Sequence, residues 1–237
     1  MKTKSTVQQI RERFDSDVER FSNLQTGQTA MPDAALMLQL TADAVAAITP
    51  HATDLLDIGC GAGNYSLKTL QNIDDLNVTL VDLSSPMLER AEQRISEKTA
   101  GRVVSIQTDV RQLSLPDASQ DAVVAAAVLH HLRGEYEWRC VFESIYRWLR
   151  PGGCFFIADM IDFAHPAIKK MMVSRYGNYL TEFRDEAYRD HVFAYIEQED
   201  SPRSLMFQMK LMEQVGFDEP MVLHHSYCGG VFGAVKS

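Results

Sequence analysis

A glycine-rich segment, DIGCGAG at positions 57–63, is the strongest chemical signal in this 237-residue chain. It follows an apolar run and places Gly59, Gly61 and Gly63 at alternate positions. Glycine lets a backbone turn sharply and lets a ligand lie against bare main chain. A dinucleotide fingerprint reads GxGxxG, and here the third glycine comes one residue early. We therefore expect a buried strand, a ligand-binding turn and a helix that begins near Tyr65; the alternative is a tight turn without a ligand.

Two aspartates follow the next two apolar segments. Asp82 ends the run VTLV, where a carboxylate can accept both hydroxyls of a ribose. Asp109 follows the third segment, where it suits an adenine amino group while the backbone amide of Val110 meets a ring nitrogen. Each aspartate alone is also typical of a solvated loop. Together with the glycine turn, they predict one pocket for an adenosine-bearing ligand.

Two histidines, His130 and His131, follow the fourth apolar segment. Either is a candidate general base, since imidazole titrates near neutrality; the alternative is that they only pack. Asp159 and Asp162 follow the fifth segment, on the same rim, and would bind a cationic acceptor or be solvated. No spacing of oxygen ligands indicates a metal ion, so we predict no metal site.

Apolar segments that alternate with helical ones must position these residues. Strands are predicted at 55–58, 78–81, 103–107, 122–128 and 154–158. This alternation implies parallel pairing through right-handed crossovers. Two closing strands, joined by the short segment CGG, form an antiparallel pair. The predicted fold is α/β: a Rossmann-like, doubly wound, mostly parallel seven-stranded sheet with an antiparallel last strand.

Helical patterns flank this sheet in the sequence. Residues 5–22 carry apolar side chains at spacings of three and four, and Asp33 can cap a second helix over 34–48, after a break at Gly27. We predict an N-terminal helical cap over residues 1–50 and a Rossmann-like domain over residues 51–237. Within that domain, the aromatic-rich stretch 163–198 is predicted to be a helical lid insert.

The ordered strings LLDIGCGAG, VTLVDLS, QTDV, DAVVAAAVLHHL and LRPGGCFFIAD resemble the class I S-adenosylmethionine-dependent methyltransferases. The resemblance covers residues 53–158 closely and implies S-adenosyl-L-methionine as cofactor, with S-adenosyl-L-homocysteine as product. It also implies that Gly59, Cys60 and Gly61 meet the methionine part through main chain, while Asp57 reaches its amino group.

The same resemblance implies which residues contact the adenosine end of the cofactor. Asp82 would bind the ribose, with Leu83 and Met87 against the adenine face. Asp109 and Val110 would contact the adenine edge. Ala126 would pass close to the methionine end. The combination is typical of the cofactor class and does not specify the methyl acceptor.

A looser resemblance is to the bacterial carboxy-S-adenosylmethionine synthases of tRNA wobble-uridine modification, carried by Phe14-Asp15 and Pro32. That family uses an arginine near its closing Gly-Phe pair to hold the extra carboxylate. This chain offers Lys210 there, a point charge without the bidentate fork of arginine. A synthase of this kind is one alternative function. A domain that binds S-adenosylmethionine without catalysis is another.

Composition limits the partners. A formal net charge of −9 repels phosphate backbones, so DNA is excluded as an expected partner and RNA is disfavoured. No apolar run long enough to span a membrane is present, and no CxxC pair indicates zinc. We expect a cytoplasmic enzyme with a small-molecule substrate, and a homodimer is compatible with the sequence.

Overall fold

A seven-stranded sheet forms the centre of the molecule in the computed structural model, which describes residues 4–23 and 29–237. Its strands are β1 (Asp54–Ile58), β2 (Asn77–Asp82), β3 (Val103–Gln107), β4 (Gln120–Ala126), β5 (Leu149–Met160), β6 (Asp218–Ser226) and β7 (Gly229–Val235). Their order is β3-β2-β1-β4-β5-β7-β6. Strands β1 to β5 pair in parallel, and β7 is antiparallel to both β5 and β6. The predicted Rossmann-like sheet with an antiparallel last strand is therefore confirmed.

Helices cover both faces of this sheet. They are α1 (Val7–Asp15), α2 (Val18–Ser22), α3 (Ala34–Ile48), α4 (Asn64–Thr69), α5 (Ser85–Ser96), α6 (Glu135–Trp148), α7 (Pro166–Phe183), α8 (Glu186–Glu199) and α9 (Leu205–Val215). Among residues 4–23 and 29–237, no helix combines the length and apolarity needed to cross a membrane.

Alternate side chains of the strands enter two separate cores, because successive residues of a strand point to opposite faces. Leu55 packs in the cluster that contains Val45 of α3 and residues of α4 and α5. Leu56 and Ile58 pack in the cluster that contains Trp138 of α6 and residues of α9. The result is three layers, with the sheet in the middle.

The strand order reverses beside β1, since the chain runs outward through β2 and β3 and then returns to form β4 on the other side of β1. In open α/β sheets, ligands bind at such a switch point, beyond the carboxyl ends of the strands. The turn after β1 and the segments after β2, β3 and β4 meet there.

The N-terminal helix predicted over residues 5–22 is divided into α1 and α2. The Ser16 hydroxyl donates to the Arg13 carbonyl at 2.7 Å, and the Asp17 amide donates to the Phe14 carbonyl at 3.0 Å. The serine side-chain bond competes with helical hydrogen bonding, and the backbone bond of Asp17 reaches only three residues back; α1 ends at Asp15.

The second predicted helix has the expected bounds in α3, but Asp33 does not cap it through its side chain. Asp33 adopts a left-handed conformation, with φ of 59°, and its carboxylate lies 3.2 Å from Nε2 of His224. Residues Met37 and Val45 of α3 belong to the core on the sheet. The predicted break at Gly27 lies outside the described residues, and the division at residue 50 stays a prediction.

Two helices, α7 and α8, occupy the stretch predicted to be a helical insert. Their aromatic and aliphatic side chains form a small core of their own, in which Tyr176, Leu180 and Val192 meet Cys228 near the end of the chain. The lid role of this insert stays a prediction.

Candidate active site

A pocket opens at the carboxyl edge of β1, β2, β3 and β4, with α1 and α2 lying over it. The cover is apolar and consists of Val7, Ile10, Phe14 and Phe21. The predicted cofactor-binding residues that line the pocket are Gly59, Cys60, Gly61, Asp82, Leu83, Met87, Asp109, Val110 and Ala126. The structure thus brings together residues from four separate loops around one cavity.

The turn after β1 presents bare backbone to this pocket. Gly59 and Gly61 have φ values of +66° and +50°, a region that favours glycine. A Cβ on Gly59 would lie 2.5 Å from Cβ of Val128, so no larger residue fits there. A Cβ on Gly61 would meet nothing within 4 Å, because this residue faces the open pocket.

Asp82 accepts two backbone hydrogen bonds, one from that turn and one from the segment that follows β2. The Gly61 amide donates to its Oδ2 at 2.9 Å, and the Ser84 amide donates to its Oδ1 at 2.9 Å. Burial raises the pKa of Asp82. Each carboxylate oxygen can accept a second bond, so the ionised side chain retains acceptors for a ligand hydroxyl.

Asp57 and Gly63 do not line the pocket and lie behind the residues that do. Asp57 is 1% exposed and accepts hydrogen bonds from the Ser66 hydroxyl at 2.6 Å and the Ser66 amide at 3.2 Å. Burial raises the pKa of Asp57 to about 6. A Cβ on Gly63 would lie 2.8 Å from Cδ1 of Ile95, so this glycine serves close packing with α5. Contact between Asp57 and a cofactor amino group stays a prediction.

The carboxylate of Asp109 accepts hydrogen bonds from Arg111, a residue that sequence analysis did not single out. The amide and Nε of Arg111 both donate to its Oδ1 at 2.9 Å. Burial raises the pKa of Asp109, but the bonds and charge of Arg111 outweigh that effect and hold it below its usual range. Arg111 therefore keeps Asp109 ionised at the pocket rim.

The two candidate catalytic histidines occupy different positions. His131 lines the pocket, and its ring centroid lies 6.2 Å from that of Phe14. Burial and the neighbouring His130 hold the pKa of His131 well below its ordinary value. His130 lies behind the pocket wall, with Nδ1 in contact with Asp159. Burial lowers the pKa of His130, but Asp159 and Asp200 outweigh it and raise the pKa to about 9.

Tyr65 was predicted only as the start of a helix, yet it also lines the pocket. Its hydroxyl is buried and has no hydrogen-bond partner among the residues that the structure describes. Burial raises the pKa of this phenol far above its usual range, so it stays a donor. A buried donor without a partner indicates that a ligand atom completes the site.

Lys210, the cation suggested by the looser resemblance, does not reach this pocket. It is exposed on α9 and lines a separate surface cleft with Glu135 and Tyr136. The cations that line the main pocket are Arg111 and Arg133. The position of Lys210 therefore gives no support to a carboxylated cofactor.

Comparison with known families identifies the region that carries the glycine turn. Residues 55–153 match the model of the methyltransferase domain family. They form a class I S-adenosylmethionine-dependent methyltransferase domain. This methyltransferase domain contains the glycine turn, both pocket aspartates and both histidines, whereas the covering helices α1 and α2 lie outside the matched region.

Two curated relatives each match about half of this chain. The 27-O-demethylrifamycin SV methyltransferase of Amycolatopsis mediterranei (strain S699) is 36% identical over 114 residues, which are 48% of this chain and 40% of that protein. The carboxy-S-adenosyl-L-methionine synthase of Actinobacillus succinogenes is 32% identical over 129 residues, 53% of this chain and 52% of that protein. The chain spans about half the length, or less, of these relatives.

A solved structure extends the likeness beyond the methyltransferase domain. The 1,6-didemethyltoxoflavin-N1-methyltransferase of Burkholderia thailandensis, bound to 1,6-didemethyltoxoflavin and S-adenosylhomocysteine, superposes with a TM-score of 0.66 at 16% identity. The match covers 100% of this chain and 93% of that one. The shared fold therefore includes the N-terminal helices and the insert.

Proposed function

We propose that this chain binds S-adenosyl-L-methionine in the pocket and transfers its methyl group to a small-molecule acceptor, leaving S-adenosyl-L-homocysteine. The observation that carries this proposal is the bond between Gly61 and Asp82. It joins a bare glycine turn and a carboxylate in one wall of one pocket. An adenosyl ligand needs both, since its ribose offers two hydroxyl donors and its polar tail needs close approach to backbone.

The remaining lining residues support a definite orientation of the cofactor. The methionine part would lie on Gly59, Cys60 and Gly61, with Ala126 alongside and the unpartnered hydroxyl of Tyr65 within the same wall. The ribose would bind Asp82. The adenine would lie between Leu83 and Met87 with its edge toward Asp109 and Val110. In this arrangement Asp57 lies below the turn, where its ionised form favours a cationic amino group above it.

When bound, S-adenosylmethionine supplies a methyl group already activated by its sulfonium. The protein has to align the acceptor with that methyl group and exclude water. Val7, Ile10 and Phe14 of α1 provide an apolar cover for this purpose. His131 lies beside Phe14 on the same wall, and its lowered pKa supports a neutral imidazole next to the proposed acceptor.

Charge and cysteine chemistry support the proposed acceptor class and the proposed compartment. A net charge of −9 disfavours nucleic acid as an acceptor, and the pocket lies beneath a cover that suits a small molecule. All four cysteines are free thiols, which fits a cytoplasmic protein.

Calorimetric titration with S-adenosylhomocysteine tests the cofactor site. We expect wild-type protein to bind it and Asp82→Asn to bind about 10- to 100-fold more weakly, because hydrogen bonds to a charged group contribute about 1.5–3 kcal/mol. Asp117→Asn, an exposed carboxylate in the turn before β4, is the matched control and should bind as wild type does. No binding to wild-type protein would overturn the proposal.

Transfer is tested with S-adenosylmethionine labelled in its methyl group, incubated with the protein and a cell extract. Label should enter the low-mass fraction and not RNA or protein. Label confined to RNA would contradict the acceptor class. A carboxylated derivative co-purifying with the protein would instead favour the synthase alternative.

A further inference from the structure

Asp200, which directly follows α8, carries a buried carboxylate whose partners are incomplete. Its side chain is fully buried, and neither oxygen has a hydrogen-bond donor within residues 4–23 and 29–237. The side chain of His131 is 16% exposed, and neither of its ring nitrogens has a well-aligned hydrogen-bond partner among the same residues. Burying a carboxylate without donors is costly, so this arrangement indicates that a further group belongs there.

The spacing of these atoms suits a metal ion. Oδ1 of Asp200 lies 3.3 Å from Nδ1 of His131 and 3.5 Å from Nε2 of His130. The ligand atoms that the three residues offer all lie within 4.8 Å of one another. Zinc bonds of about 2.0–2.1 Å set neighbouring ligands of a tetrahedral site about 3.4 Å apart. The two measured separations match that value.

His130 is already oriented as a ligand. Its Nδ1 contacts Oδ1 of Asp159, which leaves Nε2 directed toward Asp200. The other oxygen of Asp159 accepts hydrogen bonds from the amides of Leu129 at 2.8 Å and Val128 at 3.2 Å. A carboxylate behind a histidine fixes its tautomer and strengthens it as a donor to a metal.

The cations around this cluster donate to acceptors other than the Asp200 carboxylate. Arg13 of α1 pairs with Glu199, with its Nε 3.0 Å from both carboxylate oxygens. Arg133 donates to the Ser201 hydroxyl at 3.1 Å and to the Glu199 carbonyl, and Lys4 donates to the Glu197 carbonyl at 2.7 Å and to the backbone carbonyl of Asp200. Both carboxylate oxygens of Asp200 therefore stay available to a cation. The cluster also adjoins the pocket, because His131 lines both.

We propose that His130, His131 and Asp200 bind one divalent transition-metal ion of the Zn²⁺ type. Two imidazoles and one carboxylate are a ligand set that zinc and its neighbours accept, and they leave a coordination position open. The ion lies at the wall of the pocket, where that open position takes an oxygen or nitrogen of the acceptor. This role at the acceptor rests on the proposed function; the binding of the ion does not.

The test is titration of chelator-treated full-length protein with Co²⁺, followed by visible absorption, and with Zn²⁺, followed by calorimetry. We expect one ion per chain. Asp200→Asn and His131→Gln should each weaken binding by more than about 100-fold, since loss of an outer residue alone commonly costs 10- to 100-fold. His51→Ala removes an exposed histidine outside the cluster and should bind as wild type does.

Circular dichroism and thermal melting check that each variant is folded. If wild-type protein binds no Co²⁺ or Zn²⁺, or if folded variants bind as tightly as wild type, the site is a protonated His130 between two carboxylates and the proposal is wrong. The wild-type titration decides this even where a variant does not fold. Titration with S-adenosylhomocysteine reports separately on the cofactor site, so failure of the metal site and failure of the proposed function are distinguishable.

Discussion

At the scale of single residues, Gly61 separates ligand binding from folding. A methyl group on Gly61 would project into the open pocket and meet no protein atom within 4 Å, while its φ of +50° adds strain of about 1–2 kcal/mol. We expect Gly61→Ala to weaken S-adenosylhomocysteine binding by at least about 10-fold, because the glycine serves close approach of a ligand. Calorimetry and urea unfolding measure the two effects.

Gly152 provides the matched control for that substitution. It has a φ of +82°, is exposed in the first part of β5, and would also place a Cβ in open space. Gly152→Ala should lose similar stability and keep full affinity. If the two variants lose affinity equally, Gly61 does not face the cofactor.

Asp57 makes stability depend on pH. Its pKa is about 6 in the folded protein and about 3.9 when unfolded, so between these values the folded state binds the proton more tightly. Stability from this group is therefore greatest below pH 4 and falls as the pH rises to 6, by about 3 kcal/mol. Asp57→Asn has no carboxyl group to ionise and so does not lose this stability. We therefore expect the unfolding free energy of Asp57→Asn minus that of wild type to rise by about 3 kcal/mol between pH 4 and 7, as measured by urea titrations.

The same series on Asp117→Asn gives the baseline, because that exposed carboxylate should leave the pH profile parallel to wild type. Parallel profiles for Asp57→Asn would mean that Asp57 titrates normally and that its burial under the glycine turn is relieved in solution.

At the scale of secondary-structure elements, the sequence predicts the central strands better than it predicts the segments that pair with them or pack over them. β1 to β3 are rich in leucine, isoleucine and valine, and β3 has the predicted bounds. β5 begins earlier than expected because Gly152 and Gly153, which look like a stop, form backbone bonds with Lys236 near the end of the chain. Pairing between residues so far apart is invisible to a local pattern.

The candidate site likewise contains residues that the sequence predicts and residues that it does not. Residues at the carboxyl ends of successive strands could be predicted to meet, because parallel strands bring those ends to one edge. The sequence predicts an N-terminal helical cap over residues 1–50, but the position of Phe14 of α1 beside His131 could not be predicted, since amphipathic spacing does not show what a helix covers. Asp200 beside His131 could not be predicted either, because the carboxylate comes from the end of a helical insert far along the chain.

At the scale of the whole molecule, α1 and α2 are attached to the surface of the sheet domain rather than built into it. Among the described residues, neither core cluster that flanks the sheet includes a side chain of α1 or α2. Apart from the apolar contacts at the pocket, the attachments are polar: Arg13 binds Glu199, the Ser5 amide donates to the Gln198 carbonyl at 3.0 Å, and Asn64 donates to the Phe21 carbonyl at 2.8 Å.

A variant lacking residues 1–23 should therefore fold but bind poorly. Its core is intact, and Glu199 is solvated once α1 is gone, so urea unfolding should remain cooperative. The apolar cover of Val7, Ile10 and Phe14 is lost, which exposes the cofactor to water, and we expect S-adenosylhomocysteine affinity to fall by more than about 10-fold. Phe14→Ala in the full chain is the matched variant and should fall between wild type and the truncated protein. If the truncated protein binds as tightly as wild type, α1 does not close the site; if it does not unfold cooperatively, the helices belong to the core of the domain.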